Sequence, residues 1–374
     1  MKILHTSDWH LGITLNSASM ADEQKNFIDQ ICEIAKSEGI GAVVIAGDIY
    51  DTSVSSSDAV SLFSYATDRL CNELGLKVLV VAGNHDGAAR LSAYSSITDK
   101  AGLFIRGRLT KDAQPVKIDG VNFFLFPYFN TDEVKSLFPD RDIKNYTDAF
   151  KTVCENIDEN ISETEKNIAV VHTFITGAET GDTDRAAIVG TCANVSASVF
   201  EKFDYVCAGH IHRAQDIGKN IRYSGTPMRM SFSECSQQNT VTVYDTDTGE
   251  RKEIKVKPLF DMKILSGSIE ELTRDAEPCD DYIKIELEKG FAGLEQQQFF
   301  REFYPNLIMI TTKGTDDTIE DITLDMSDID TLSPKEMCQS YFTEVLGISP
   351  EKRQVDMLLD ALLEIENERE GETK

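Results

Sequence analysis

Short runs of Val and Ile stop abruptly at polar turns in this chain. Gly41–Ala46 ends in Gly47-Asp48, Lys77–Ala82 ends in Gly83-Asn84-His85-Asp86, and Asn167–Val171 ends in His172. An apolar run with no polar alternation is what a strand buried on both faces looks like, and such strands belong to parallel sheets. Between the first two runs, Ser56–Leu74 shows a helical pattern. Ahead of them, Ala21–Glu38 places Phe27, Ile28, Ile31, Ile34 and Ala35 on one face. Strand, helix, strand, helix, strand predicts βαβ units and an α/β fold with helices on the sheet faces.

After Ala82 the pattern changes. Val116–Ile118 and Val121–Phe126 flank Asp119-Gly120, which predicts a hairpin. Asp148–Glu165 reads as an acidic amphipathic helix, and Tyr205–Ala208 as another buried strand, ending in Gly209-His210. Ile221–Ser224, Thr240–Asp245 and Arg251–Lys257 add strands. Pro258 is the expected boundary of this first body. Beyond it, strands at Tyr282–Leu287 and Leu307–Thr312 with a helix at Leu294–Glu302 read as a small α+β module. Two helices are expected in Pro334–Glu368, the second (Arg353–Glu366) with a broad apolar face.

The strand ends carry metal-ligand residue types: Asp8 and His10, Asp48, Asn84 and His85, His172, then His210 and His212. Of the six histidines, only His5 lies away from these turns. In open α/β sheets the ligand crevice lies beyond the carboxyl ends of the strands, so residues from position 8 to position 212 can converge there. Carboxylate, imidazole and one amide oxygen suit borderline divalent ions such as Mn²⁺, Fe²⁺ or Zn²⁺. The lack of thiolates argues against structural zinc. The eight cysteines contain no C-x-x-C pair and read as reduced thiols. One carboxylate shared by two ions is an economical bridge, and a two-ion site of that kind suits phosphoester hydrolysis.

Charge bears on the substrate. At −27 the chain lacks the basic footprint of a nucleic-acid binder. Residues 315–374 hold 17 acidic against 5 basic residues, an acidic tail of the kind that solvates or docks. A global sum does not describe one cleft, where bound divalent ions invert the local field. Nucleic acid therefore stays among the substrate classes. No run approaches the roughly 18 apolar residues of a membrane span, and the first residues lack a signal-peptide core, so a cytoplasmic location without membrane association is expected.

D-x-H, G-D-x-x-D, G-N-H-D, H and G-H-x-H in this order resemble the calcineurin-like metallophosphoesterases. His5–Gly12, Gly47–Asp51, Gly83–Asp86, Gly209–Gln215 and Tyr223–Glu234 are also similar to the SbcD family, the nuclease subunits of bacterial SbcCD complexes. That resemblance covers residues 1–235; the C-terminal third matches in layout. It implies a β-sandwich flanked by helices, with residues 1–258 as nuclease domain, 259–330 as capping domain and 331–374 as C-terminal helices. It implies one ion on Asp8, His10, Asp48 and His212, a second on Asp48, Asn84, His172 and His210, and manganese as the metal. His85 would lie over the substrate phosphate as a catalytic residue, with Asp51 orienting it. The implied activity is exonuclease and endonuclease cleavage of DNA in repair, recombination and replication. The implied partners are an SbcC-like ATPase, bound through the C-terminal helices, and a second copy of the chain. Ser61–Leu74 and Ala89–Thr98 are candidate dimer helices, and Arg353–Glu366 is the candidate ATPase contact. Gly87 stands where the family usually has Ser. The competing readings are a phosphoesterase acting on a small phosphodiester or a phosphoprotein, and a non-catalytic tether of DNA ends.

Overall fold

The computed structural model describes residues 1–16, 18–181, 194–290 and 292–313. The C-terminal helices expected in Pro334–Glu368, including the candidate ATPase contact, lie outside the described residues. Two six-stranded mixed sheets form the body. The first runs Arg251–Lys255, Thr240–Asp245, Lys2–Thr6, Ala42–Ala46, Lys77–Val81 and Leu103–Arg106, in spatial order. Its last four strands are parallel, and the return through Thr240–Asp245 is antiparallel. The second runs Gln215–Ile217, Ile221–Tyr223, Tyr205–Gly209, Lys166–His172, Val121–Phe126 and Val116–Ile118. Its four central strands are parallel, with an antiparallel hairpin at each edge.

The uninterrupted apolar runs follow from burial on both faces. Ile3, Val44, Leu79 and Val81 from the first sheet meet Phe123, Leu125, Ile168 and Val170 from the second in one cluster. That is the interior of a sandwich. Alternate residues of the same strands face outward. Leu4, Val43, Ile45 and Val80 pack with Phe27, Ile28 and Ile31 of the Ala21–Glu38 helix. On the far side, Phe124, Phe126, Val171 and Val206 pack with Phe150 and Val153 of the Tyr146–Asn156 helix. The Asp119-Gly120 turn has positive φ at both residues (48° and 78°), as a two-residue hairpin loop of this hand requires.

Two elements differ from the sequence reading. The Asp148–Glu165 helix instead spans Tyr146–Asn156, capped by the Asn145 side chain at the Asp148 N–H. Acidic residues continue the apparent pattern past 156, but the chain must turn there to enter the Lys166–His172 strand. The Asn167 side chain ties that turn to Ser162 at both its N–H and its carbonyl. The Ser56–Leu74 helix is regular over Ser57–Thr67 and widens into a π-turn over Asp68–Glu73.

Beyond Pro258, Met262–Gly267, Tyr282–Leu287 and Leu307–Thr312 form a three-stranded sheet, with helices at Ile269–Arg274 and Leu294–Phe303. Contacts among the described residues set 1–286 with 292–310 as one unit, apart from 287–290 and 311–313. Within that unit the Glu23 carboxylate, itself buried, accepts the N–H groups of Leu259 and Phe260 at 3.0 and 2.8 Å. Met262, Tyr282 and Ile308 join Met20, Met228 and Met230 in the same apolar cluster. Among the described residues, no helix is long and apolar enough to cross a membrane.

His5 is wholly buried between Tyr205 and Arg222, and its pKa falls to about 3, first through burial and then through the Arg222 charge. The folded value lies below the ordinary 6.5, so below that pH the unfolded chain takes up a proton that the folded chain refuses. Stability from this residue is complete above pH 6.5 and is lost as pH drops toward 3. Between pH 7.5 and pH 5.5 His5 is expected to cost about 1.4 kcal/mol, and His5→Gln removes that loss. Urea unfolding at the two pH values checks this; identical losses in parent and variant would contradict it.

Candidate metal centre

Every residue singled out at a strand end lies at one end of the sandwich. Asp8 and His10 follow the Lys2–Thr6 strand, Asp48 follows Ala42–Ala46, and Asn84 and His85 follow Lys77–Val81. His172 closes Lys166–His172, and His210 and His212 follow Tyr205–Gly209. Main-chain bonds sew the loops together. The N–H groups of Trp9 and His10 both reach the Asp48 carbonyl, at 2.9 and 3.0 Å, and Asp8 N–H reaches the Gly47 carbonyl at 3.0 Å. Trp9 is buried and donates its indole N–H to Thr6, which anchors the first loop.

This backbone is strained where the functional side chains leave it. Asp8, His10, Asp48 and His210 have φ of 53°, 42°, 48° and 100°, a region that non-glycine residues rarely occupy. Such strain costs of order 1–3 kcal/mol per residue and persists where the surroundings over-determine it. Glycines supply the clearance. A side chain at Gly47 would collide with the His172 ring, and one at Gly83 would collide with the Asp48 carboxylate.

Asp48 is the hub. Its Oδ1 accepts the main-chain N–H of His85 at 2.9 Å. Its Oδ2 faces His172 Nε2 at 3.2 Å and His10 Nε2 at 3.6 Å. Asn84 Oδ1 lies 3.1 Å from both His172 Nε2 and His210 Nδ1. The main-chain N–H of His210 donates to both Asp8 oxygens, at 3.0 and 3.2 Å, and the Ser7 hydroxyl donates to Asp8 as well. Imidazole edges pack closely: His10 against His85, His10 against His212, and His172 against His210, with ring centres 4.8–5.2 Å apart.

Three sets of donor atoms come within 4.8 Å of one another: Asp8, His10 and His212; Asp48, His172 and His210; and His10, Asp51 and His85. His172 Nδ1–H donates to the Ala46 carbonyl at 2.9 Å, which turns its Nε2 lone pair toward Asp48 and Asn84. A carboxylate, an amide oxygen and an imidazole lone pair then confront one another. Both ring nitrogens of buried His10 lack a hydrogen-bond partner among the described residues. Acceptors facing acceptors inside a protein call for a cation, and the donor set fits a borderline divalent ion.

The protein alone answers part of this need with protons. Burial would raise the Asp48 carboxyl, but His172, through its charge and its hydrogen bond, holds it well below the usual range. Burial would likewise lower His172, yet the Asp48 carboxylate and its hydrogen bond lift it to about 9. Burial, reinforced by His172, drops His210 to about 3, so its ring is a neutral lone-pair donor.

Asp51 meets His85 through its main chain. His85 Nδ1 does lie 2.8 Å from Asp51, but its partner is the Asp51 main-chain carbonyl. The Asp51 carboxylate instead faces His10 Nδ1, at 3.5 Å. A carbonyl can only accept, so Nδ1 carries the proton and Nε2 is the acceptor of this exposed ring. Two carboxylates with no role in the sequence reading take one here. Asp86 accepts the N–H groups of Ile49, Tyr50 and Gly83, locking two loops together. Glu234, buried, lies 2.8 Å from His212 Nδ1. Asp86 lies in G-N-H-D and Glu234 closes the Tyr223–Glu234 motif, so proximity to motifs was the available signal for both.

The sequence model of the calcineurin-like phosphoesterase family matches residues 1–214. Solved structures of similar chains include TT1561 of Thermus thermophilus, at 12% identity over 68% of this chain and 99% of that one, TM-score 0.40. YfcE, a phosphoesterase from E. coli, is 15% identical over 69% of this chain and 100% of its own, TM-score 0.26. A dimetal phosphatase from Danio rerio is 11% identical over 69% and 99%, TM-score 0.40.

Gly83→Ala drives a methyl group into Asp48 and is expected to weaken divalent-cation binding, read with Mn²⁺ as the probe, by about 10- to 100-fold. Calorimetric titration of the metal-free protein measures this, and an unchanged affinity would contradict the hub role of Asp48.

Proposed function

From the premise that this chain belongs to the calcineurin-like phosphoesterase family, we propose that it hydrolyses phosphodiester bonds of DNA on a two-ion centre. Metal-dependent phosphoester hydrolysis is the chemistry of the family, and the His/Asp donor groups are in place. The observation that carries the two-ion reading is the arrangement about Asp48 Oδ2, with His172 on one side and His10, both ring nitrogens unsatisfied, on the other. In this reading Asp8, His10, Asp48 and His212 hold one ion, and Asp48, Asn84, His172 and His210 hold the other. Bound ions supply Lewis-acid stabilisation of phosphoryl oxygens and acidify water. The chain's own residues do the rest. Asp48 and Asp8 fix the positions of the charges. His85 is anchored at Nδ1 by the Asp51 carbonyl, leaving an exposed Nε2 that serves the substrate phosphate or its leaving oxygen.

DNA as substrate rests on the SbcD-like segments Gly209–Gln215 and Tyr223–Glu234, of which the second lies wholly beyond the family match. With it go an SbcC-like ATPase as partner and manganese as the working ion. A homodimer is supported by apolar exposure near the candidate helices: Tyr94 is 76% and Ile97 65% exposed. A second reading, hydrolysis of a small phosphodiester, is favoured by the net charge of −27, which repels a polyanion. Bis-p-nitrophenyl phosphate, a cyclic nucleotide and a hairpin DNA, offered with Mn²⁺ with and without the ATPase, separate the two. Hairpin cleavage supports the DNA reading; cleavage of the small esters alone, even with the ATPase present, supports the second.

His85→Gln is expected to bind manganese as the parent does and to lose about 10²- to 10⁴-fold in turnover. Steady-state kinetics on the substrate the parent cleaves checks this; an unchanged rate would remove His85 from the reaction.

A further inference from the structure

The two proposed ion positions are not supported alike. His172 rests its Nδ1–H on a neutral main-chain carbonyl, that of Ala46. His212 rests its Nδ1 on a carboxylate, Glu234 Oε1, at 2.8 Å. Glu234 is 1% exposed, and its other oxygen accepts the Met230 N–H at 2.8 Å. Glu234 accepts at its other oxygen, and accepting here as well places the proton of this contact on His212 Nδ1, with Nε2 left as the ligand atom. A carboxylate behind a ligating imidazole fixes its orientation and raises its basicity.

The charges differ too. Around Asp8, His10 and His212 stand three carboxylates besides the shared Asp48: Asp8 itself, Glu234 behind His212, and Asp51 at 3.5 Å from His10 Nδ1. Asp8 is held as an acceptor by the His210 main-chain N–H and the Ser7 hydroxyl. The other group combines the shared Asp48 with an amide and two imidazoles, Asn84, His172 and His210, and a second carboxylate, Asp8, comes no nearer to it than 3.9 Å from His172 Nδ1. A divalent cation gains more at the more anionic position.

Resting on the two-ion reading above, we propose that Glu234 is a positioning residue that fixes His212 as its Nδ1–H tautomer. It thereby makes the Asp8–His10–His212 position the tighter of two unequal cation sites. The ions then load in order, and the position built on Asn84, His172 and His210 fills second.

The test has two arms on the full chain. In metal-free protein, long-range ¹H–¹⁵N spectra of the histidine side chains read the His212 tautomer without any ion or turnover. The expected parent signature is Nδ1–H, shifting to a tautomer mixture in Glu234→Ala; an Nε2–H signature in the parent overturns the proposal. In the second arm, Mn²⁺ is titrated and followed by electron paramagnetic resonance. The parent is expected to show a tight and a weak class, and Glu234→Gln, which keeps an acceptor but loses the charge, to weaken only the tight class, by about 10- to 100-fold. Two equal classes, or a loss confined to the weak class, overturn this proposal while leaving the two-ion reading intact. A parent that binds no Mn²⁺ overturns both.

Discussion

One buried carboxylate organises this molecule. Asp48 is 3% exposed where strand ends of the two sheets meet, and its two oxygens do different work. Oδ1 holds the Gly83–Asp86 loop through the His85 N–H, while Oδ2 is left to face His10 and His172. A charge in that place is costly unless it is matched. In the protein alone the match is His172, lifted to about 9 by the same carboxylate. The left-handed backbone at Asp8, His10, Asp48 and His210 and the tight glycines beside them make sense as the cost of bringing the matching groups that close.

The scaffold was legible because parallel strands buried on both faces leave continuous Val/Ile runs, and because each ends in a residue type that a core would not tolerate. The strand-end residues were legible for the same reason, since histidine is scarce here and concentrated at those turns. What stayed hidden depends on contacts without a period. Glu234 meets His212 across 22 positions, from a short 3₁₀ turn, and only its place at the end of a motif hinted at it. Asp51 offered a carboxylate to the reader of the sequence, but the fold uses its carbonyl for His85 and turns the carboxylate to His10. The end of the Tyr146–Asn156 helix was obscured because acidic residues suit a helix surface and a solvated turn equally well.

The acidity of the chain acquires a physical meaning beside this centre. At −27 the protein as a whole repels a nucleic acid, so under the proposed DNA reading the grip would have to come from cations in the cleft or from a partner. Placing the strongest local positive charge at the reactive position, and little elsewhere, ties substrate affinity to metal loading. The same argument gives the Met228–Glu234 segment weight. Met228 and Met230 share an apolar cluster with Met262, Tyr282 and Ile308, and the Met230 N–H donates to Glu234, so the same segment touches both the module beyond Pro258 and the support of His212.

The account stands on two cations sharing Asp48. Anomalous diffraction from crystals grown with manganese tests that directly. Two peaks roughly 3.5–4 Å apart, flanking Asp48 with Asp8, His10 and His212 on one side and Asn84, His172 and His210 on the other, are the predicted result. A single peak away from Asp48, or none with the Asp48–His172 ion pair unchanged, would contradict it.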